Sequence, residues 1–121
     1  MYVSISDLVS HRQYTDFPAA YCFDRKTYSF CDPTWLSLQK SELYPRYIPL
    51  FQIDQHAIEN AFLLNLHNRQ ILRKYNASNV CFEEFVQQNN LWRQWWDYYV
   101  KRVKQIAIHW CENNNINYRN E

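Results

Sequence analysis

The sequence predicts an α+β fold: a mostly helical single domain with an N-terminal β-hairpin packed on helices and a long C-terminal helix. Three observations carry this. Residues 91–110, "LWRQWWDYYVKRVKQIAIHW", hold four of the five tryptophans with apolar side chains at helical spacing. The stretch "AAYCFDRKTYSFC", ending at Cys31, alternates side chains about a polar turn, as paired strands do. The segments between them, 54–66 and 80–88, place apolar residues at i, i+3 and i+4. With 121 residues, 47% of them hydrophobic, the chain has enough apolar surface for one core.

Taken in order, "SISD" at 4–7 reads as a capping box that starts a helix running to about Gln13. A loop follows through Pro18. In the hairpin, a turn at Asp24–Thr27 sets Phe23 opposite Tyr28 and Tyr21 opposite Phe30. Tyr21, Phe23, Tyr28 and Phe30 then share one face, and Ala20, Cys22, Ser29 and Cys31 the other. In that register Cys22 and Cys31 are diagonal neighbours, at the limit of disulfide reach. Pro33 and Pro45 break the next stretch, and "IPLF" at 48–51 reads as an edge strand because Pro49 cannot donate to a ladder.

Asp54 is the expected N-cap of a helix from Gln55 to about Leu66, with Ile53 and Ile58 as a staple and Ile58, Ala61, Phe62 and Leu66 inward. "QILRKY" is a short helix ended by "NASN". In "VCFEEFVQQ", Cys81, Phe82, Phe85 and Val86 form an apolar stripe. The last helix, about Leu91 to Asn113, carries Trp92, Trp96, Tyr99, Val103, Ile106 and Trp110 in a heptad seam flanked by Trp95. On this reading the seam is core. The asparagines at 113–115 end the helix through their tolerance of left-handed backbone. There is no glycine in the chain, so turns with positive φ fall to Asn or Asp.

Composition also excludes function classes. Without glycine there is no phosphate-cradling loop and no dinucleotide fingerprint. Thirteen Lys and Arg balance twelve Asp and Glu, so the whole chain has no pull toward polyanions or acidic membranes. The N-terminus lacks the basic and apolar regions of a signal peptide, and no apolar run is long enough to span a bilayer. The expected address is the cytoplasm, with the cysteines at 22, 31, 81 and 111 as thiols.

Several stretches resemble those of a set of small bacterial proteins of unknown function, uncharacterised protein family 0158. The tail "IAIHWCENNNINY" resembles that family's "IAIxWCEENGIxY" ending, "VCFEEF" its "GAFRRF" segment, "FQIDQHAIENAF" the start of its second helix, and "AYCFDRKTYSF" its "YLDxxTGEV" hairpin. The family's glycines are replaced here, and its basic pair becomes Glu83–Glu84. The resemblance implies a single-domain fold and supplies no catalytic residues.

Sites for chemistry are sparse. No C-x-x-C, H-E-x-x-H or finger spacing is present, so neither a metal nor a cofactor is implied. His11, His56, His67 and His109 lie in polar surroundings with no nucleophile motif beside them. The expectation is therefore a non-enzymatic cytosolic protein-interaction module, of the regulator, antitoxin or immunity-inhibitor kind, with a homodimer among the candidate assemblies. Its candidate surface is the polar side of the last helix, Arg93, Asp97, Lys101 and Lys104, with Ile108 as apolar centre. One alternative is a nucleic-acid-associated factor using Arg69, Arg73, Lys101, Arg102 and Lys104. Another is a small hydrolase whose site is assembled from distant residues.

Overall fold

A computed structural model describes residues 1–13, 22–31 and 46–121. Among these residues the fold is α+β, with helices α1 (Ile5–Gln13), α2 (Gln55–Asn65), α3 (Arg69–Ala77), α4 (Phe82–Gln88) and α5 (Trp92–Asn113) and short strands β1 (Val3–Ser4), β2 (Cys22–Asp24), β3 (Ser29–Cys31), β4 (Tyr47–Pro49) and β5 (Tyr118–Arg119). Two compact units emerge: Met1–Gln52 with Lys104–Glu121, and Ile53–Val103. The expected loops through Pro18 and around Pro33 and Pro45, and the placement of Ala20 and Tyr21, lie outside the described residues.

In the first unit, β1 pairs in parallel with β5, Val3 opposite Tyr118, which ties the two ends of the chain together. The Asp7 amide donates to Ser4 Oγ at 3.4 Å, half of the expected capping box. The Ser4 hydroxyl itself donates to the Glu121 carbonyl at 3.1 Å. Ile5 and Leu8, one turn apart on α1, are fully buried.

The hairpin forms, but its register differs from the one expected. Cys22 pairs with Cys31, Phe23 with Phe30 and Asp24 with Ser29. The connection is thus four residues, Arg25–Tyr28, with Tyr28 at φ 53°. The reason is Asp24. Its Oδ1 accepts from the Lys26 amide at 2.9 Å, and Arg46 donates through Nε and Nη2 to its two oxygens, each at 3.0 Å. A carboxylate gripped in this way is held in the strand rather than in the turn. Cys22 and Cys31 consequently stand directly opposite each other as thiols, not diagonally.

Phe23, fully buried, still gathers the aromatic face: Tyr28 at 5.3 Å, Phe30 at 5.7 Å and Trp110 at 5.9 Å between ring centroids. Trp110 also donates its indole N–H to the Pro49 carbonyl at 3.1 Å, so its polar edge is satisfied inside the core. The sheet order is β3-β2-β4, which puts Pro49 on an edge strand as expected. The end of α5 is a Schellman turn. Asn115 takes φ 55°, its amide bonds the Glu112 carbonyl, and the Ile116 amide bonds that of Cys111 at 2.9 Å.

The second unit is helical. Asp54 caps α2 by accepting from the Ala57 amide at 3.1 Å. Asn68 caps α3 by accepting from Gln70 and Ile71. Helix α2 buries Ile58, Glu59, Phe62 and Leu63, whereas the expected Ala61 and Leu66 are only half-buried. Phe82, Phe85 and Val86 are buried on α4, but Cys81 sits at its N-cap and is exposed. Phe62 is the hub, with Trp95 at 5.4 Å, Tyr98 at 5.6 Å and Phe82 at 6.2 Å. Buried aromatic side chains of this size contribute roughly 2–3 kcal/mol each before entropy is charged.

Candidate interaction surface

Helix α5 does not carry the heptad seam that its spacing suggests. Trp95 is buried at 3% exposure, while Trp92 and Trp96 are 43% and 47% exposed. Farther along, Val103, Ala107, Trp110 and Cys111 are buried, as a stripe through 103 and 110 requires, and Ile106 is half-buried. The expectation that Trp92 and Trp96 are core is therefore wrong. Two interleaved sets, 92/96/99 and 95/99/103, fit a helix equally well, because both repeat every three or four residues. The choice was made by α2 and α4: Phe62 and Phe82 hold the Trp95 ring at 5.4 and 4.7 Å.

What results is a ladder of rings on the surface. Trp92 and Trp96 lie 6.4 Å apart with planes inclined by only 17°. Tyr99 follows Trp96 at 6.0 Å, and it contacts the buried Trp95 at 5.3 Å. Tyr99 thus links the exposed pair to the buried ring of Trp95. At 100° per residue, Arg93 follows Trp92 and Asp97 follows Trp96 on the same side of the helix, which places both beside the two indoles. Both are exposed. Among the described residues neither forms an ion pair within the chain.

The other expected contact residues are more dispersed. Lys101 and Arg102 are exposed. Lys104 and Ile108, in the part of α5 that belongs to the first unit, are half-buried, so Ile108 is not the open apolar centre that was expected. Arg69 and Arg73 are exposed on α3. Arg69 lines a shallow groove of 320 Å³ with Leu63, Leu64, His67, Asn68 and Leu72, where Leu64 is 63% exposed. The exposed indoles were missed in the sequence because tryptophan was read as core. The interposed Arg93 and Asp97, which polarise that side of the helix, were the available signal.

The titrating groups have structural explanations. Hydrogen bonds from Arg46, and from the Lys26 amide, hold the Asp24 carboxyl down at about 2 against the opposing effect of burial. Burial pushes the Cys111 thiol up to about 11, which makes it a poor nucleophile. Tyr118 is raised because its hydroxyl donates to the Glu112 carboxylate at 2.9 Å. His56 Nδ1 and Glu59 Oε1 approach to 3.5 Å, with the imidazole side chain 93% exposed on the surface of α2. Among the described residues no group of three or more His, Cys, Asp or Glu could hold a metal ion. No helix among them is long and apolar enough to cross a membrane.

Comparisons of the chain with known protein families, with curated proteins and with solved structures find no match.

Proposed function

We propose that this chain is a non-enzymatic protein-interaction module whose contact surface is the Trp92–Trp96–Tyr99 ladder of α5. The observation that carries the reading is the pair of indoles with nearly half their surface in water, one turn apart and nearly parallel. Leaving them half-exposed forgoes about 1 kcal/mol of apolar burial apiece. Contiguous apolar patches rimmed by polar groups mark contact sites. Tryptophan, tyrosine and arginine are the residues that most often dominate binding at such sites. The adjoining Arg93 and Asp97 supply the polar rim. The test is photo-crosslinking in source cells from a benzoylphenylalanine placed at position 96. The reading expects discrete protein adducts, and it fails if adducts form no more readily there than from the same probe at Gln105.

A second reading, a single-stranded nucleic-acid platform, is favoured by the exposed Lys101 and Arg102 on the same helix as the rings. Retention on single-stranded DNA or RNA with a steep salt dependence would support it. No retention at low salt removes it.

A further inference from the structure

The ladder's flank is complementary to itself. Arg93 and Asp97 are exposed, on the same side of α5, and among the described residues neither forms an ion pair. Let two copies of α5 pack antiparallel across their ladders about a two-fold axis passing at the level of residue 95. A two-fold axis normal to the plane of the two helices keeps one flank on one side. Arg93 of each copy then stands level with Asp97 of the other, two residues from the axis on either side. With a rise of about 1.5 Å per residue, the four indoles fall in alternating order along the seam, roughly 3 Å apart in height.

We propose that the partner of this surface is a second copy of the chain, joined through an isologous antiparallel contact of α5 centred on Trp92 and Trp96. This rests on the interaction reading above and names its occupant. The balanced charge of the flank distinguishes a copy of itself from a polyanion, which would meet Asp97 unfavourably. The patch is small: four half-exposed indoles with Tyr99 and the two charged residues fall short of the about 1,200 Å² of a standard interface. The dimer is accordingly weak, with a dissociation constant on the order of 10–100 µM.

The experiment is sedimentation velocity on the full chain from about 2 to 500 µM, which brackets that range. The native chain shifts from monomer to dimer, and Trp96→Ala weakens association by about tenfold or more, as loss of a hot-spot aromatic does. Arg93→Asp makes the flank wholly acidic, and Asp97→Arg makes it wholly basic. Each variant alone stays monomeric. Mixed in equal amounts they form a heterodimer, because both contacts are then complementary. Far-UV circular dichroism confirms that each is folded, and the mixing result itself requires two folded partners. A monomer at every concentration overturns the proposal, as does a dimer indifferent to all three substitutions. If the chain is monomeric while the probe at position 96 still captures other proteins, the second copy is wrong and the interaction reading stands. If neither association occurs, both fall.

Discussion

Trp95 and Trp96 are adjacent, identical in chemistry and opposite in burial, so replacing each by alanine isolates what packing contributes. Trp95 is 3% exposed and meets Phe82 at 4.7 Å, Tyr99 at 5.3 Å and Phe62 at 5.4 Å. Its removal forfeits nearly all of an indole's buried area and leaves a cavity between α2, α4 and α5, for which the expected cost is about 3–5 kcal/mol. Trp96 already has 47% of its surface in water. Its removal loses roughly half as much area and leaves no enclosed void, and alanine returns about 0.5 kcal/mol of helix propensity. The expected cost is about 1 kcal/mol or less. Urea unfolding followed by far-UV circular dichroism reads the contrast without relying on the deleted fluorophores. Protein at about 2 µM keeps association from contributing. With a urea slope of about 1–3 kcal/mol/M, the Trp95→Ala midpoint falls at least about 0.7 M below that of Trp96→Ala. Equal midpoints, or the reverse order, would refute the assignment of the inner and outer faces of α5.

Other perturbations follow from the same contacts. The Asp24 carboxyl is held at about 2, below its ordinary 3.8, so its stabilisation is present above pH 4 and is lost as pH falls toward 2. The thermal midpoint of the native chain therefore drops more steeply over that interval than that of Asp24→Asn, and parallel curves would contradict the ion pair's role. His67 holds φ at 52° without being glycine. His67→Gly relieves about 1–2 kcal/mol of left-handed strain and loses part of it to unfolded-state entropy. The net expectation is a small rise in the urea midpoint; a fall would show that the imidazole itself stabilises the turn. Cys81 is exposed while Cys111 is buried with its thiol raised to about 11. Alkylation at pH 8 followed by peptide mapping modifies Cys81 long before Cys111, and equal rates would contradict the burial. Asp54→Ala removes the acceptor of the Ala57 amide and costs about 1 kcal/mol in urea unfolding, as N-cap losses do. No change would mean that water replaces the cap fully.

Much of this architecture was legible from local chemistry. Asp54 announced the start of α2, Ser4 that of α1, and the asparagines after Trp110 the end of α5, because each satisfies backbone groups within a few residues of itself. Pro49 marked an edge strand for a similarly local reason, its missing N–H. What failed depended on distant partners. The hairpin register was set by Arg46 reaching Asp24 across 22 residues of sequence. Which tryptophan of α5 turned inward was decided by Phe62 and Phe82. Tyr28 and His67 occupy left-handed backbone that the sequence assigned to Asn or Asp. In a chain with no glycine, nearby contacts override the local preference there. Of the residues expected to form a surface on α5, Arg93 and Asp97 are exposed. Ile108, expected as the apolar centre, is half-buried, and the exposed apolar side chains of that helix are the two indoles, because aromatic spacing alone does not distinguish an inner face from an outer one.

The division of labour among the α5 indoles can be read directly from hydrogen exchange of their ring N–H groups by NMR. Trp110, bonded to the Pro49 carbonyl at 3.1 Å, should exchange slowly. Trp92 and Trp96 should exchange as freely as a model indole in dilute solution, and become protected as the concentration is raised. Protection of Trp92 and Trp96 in dilute solution as strong as that of Trp110 would mean that they are spent on the core, and the contact surface proposed for this chain would not exist.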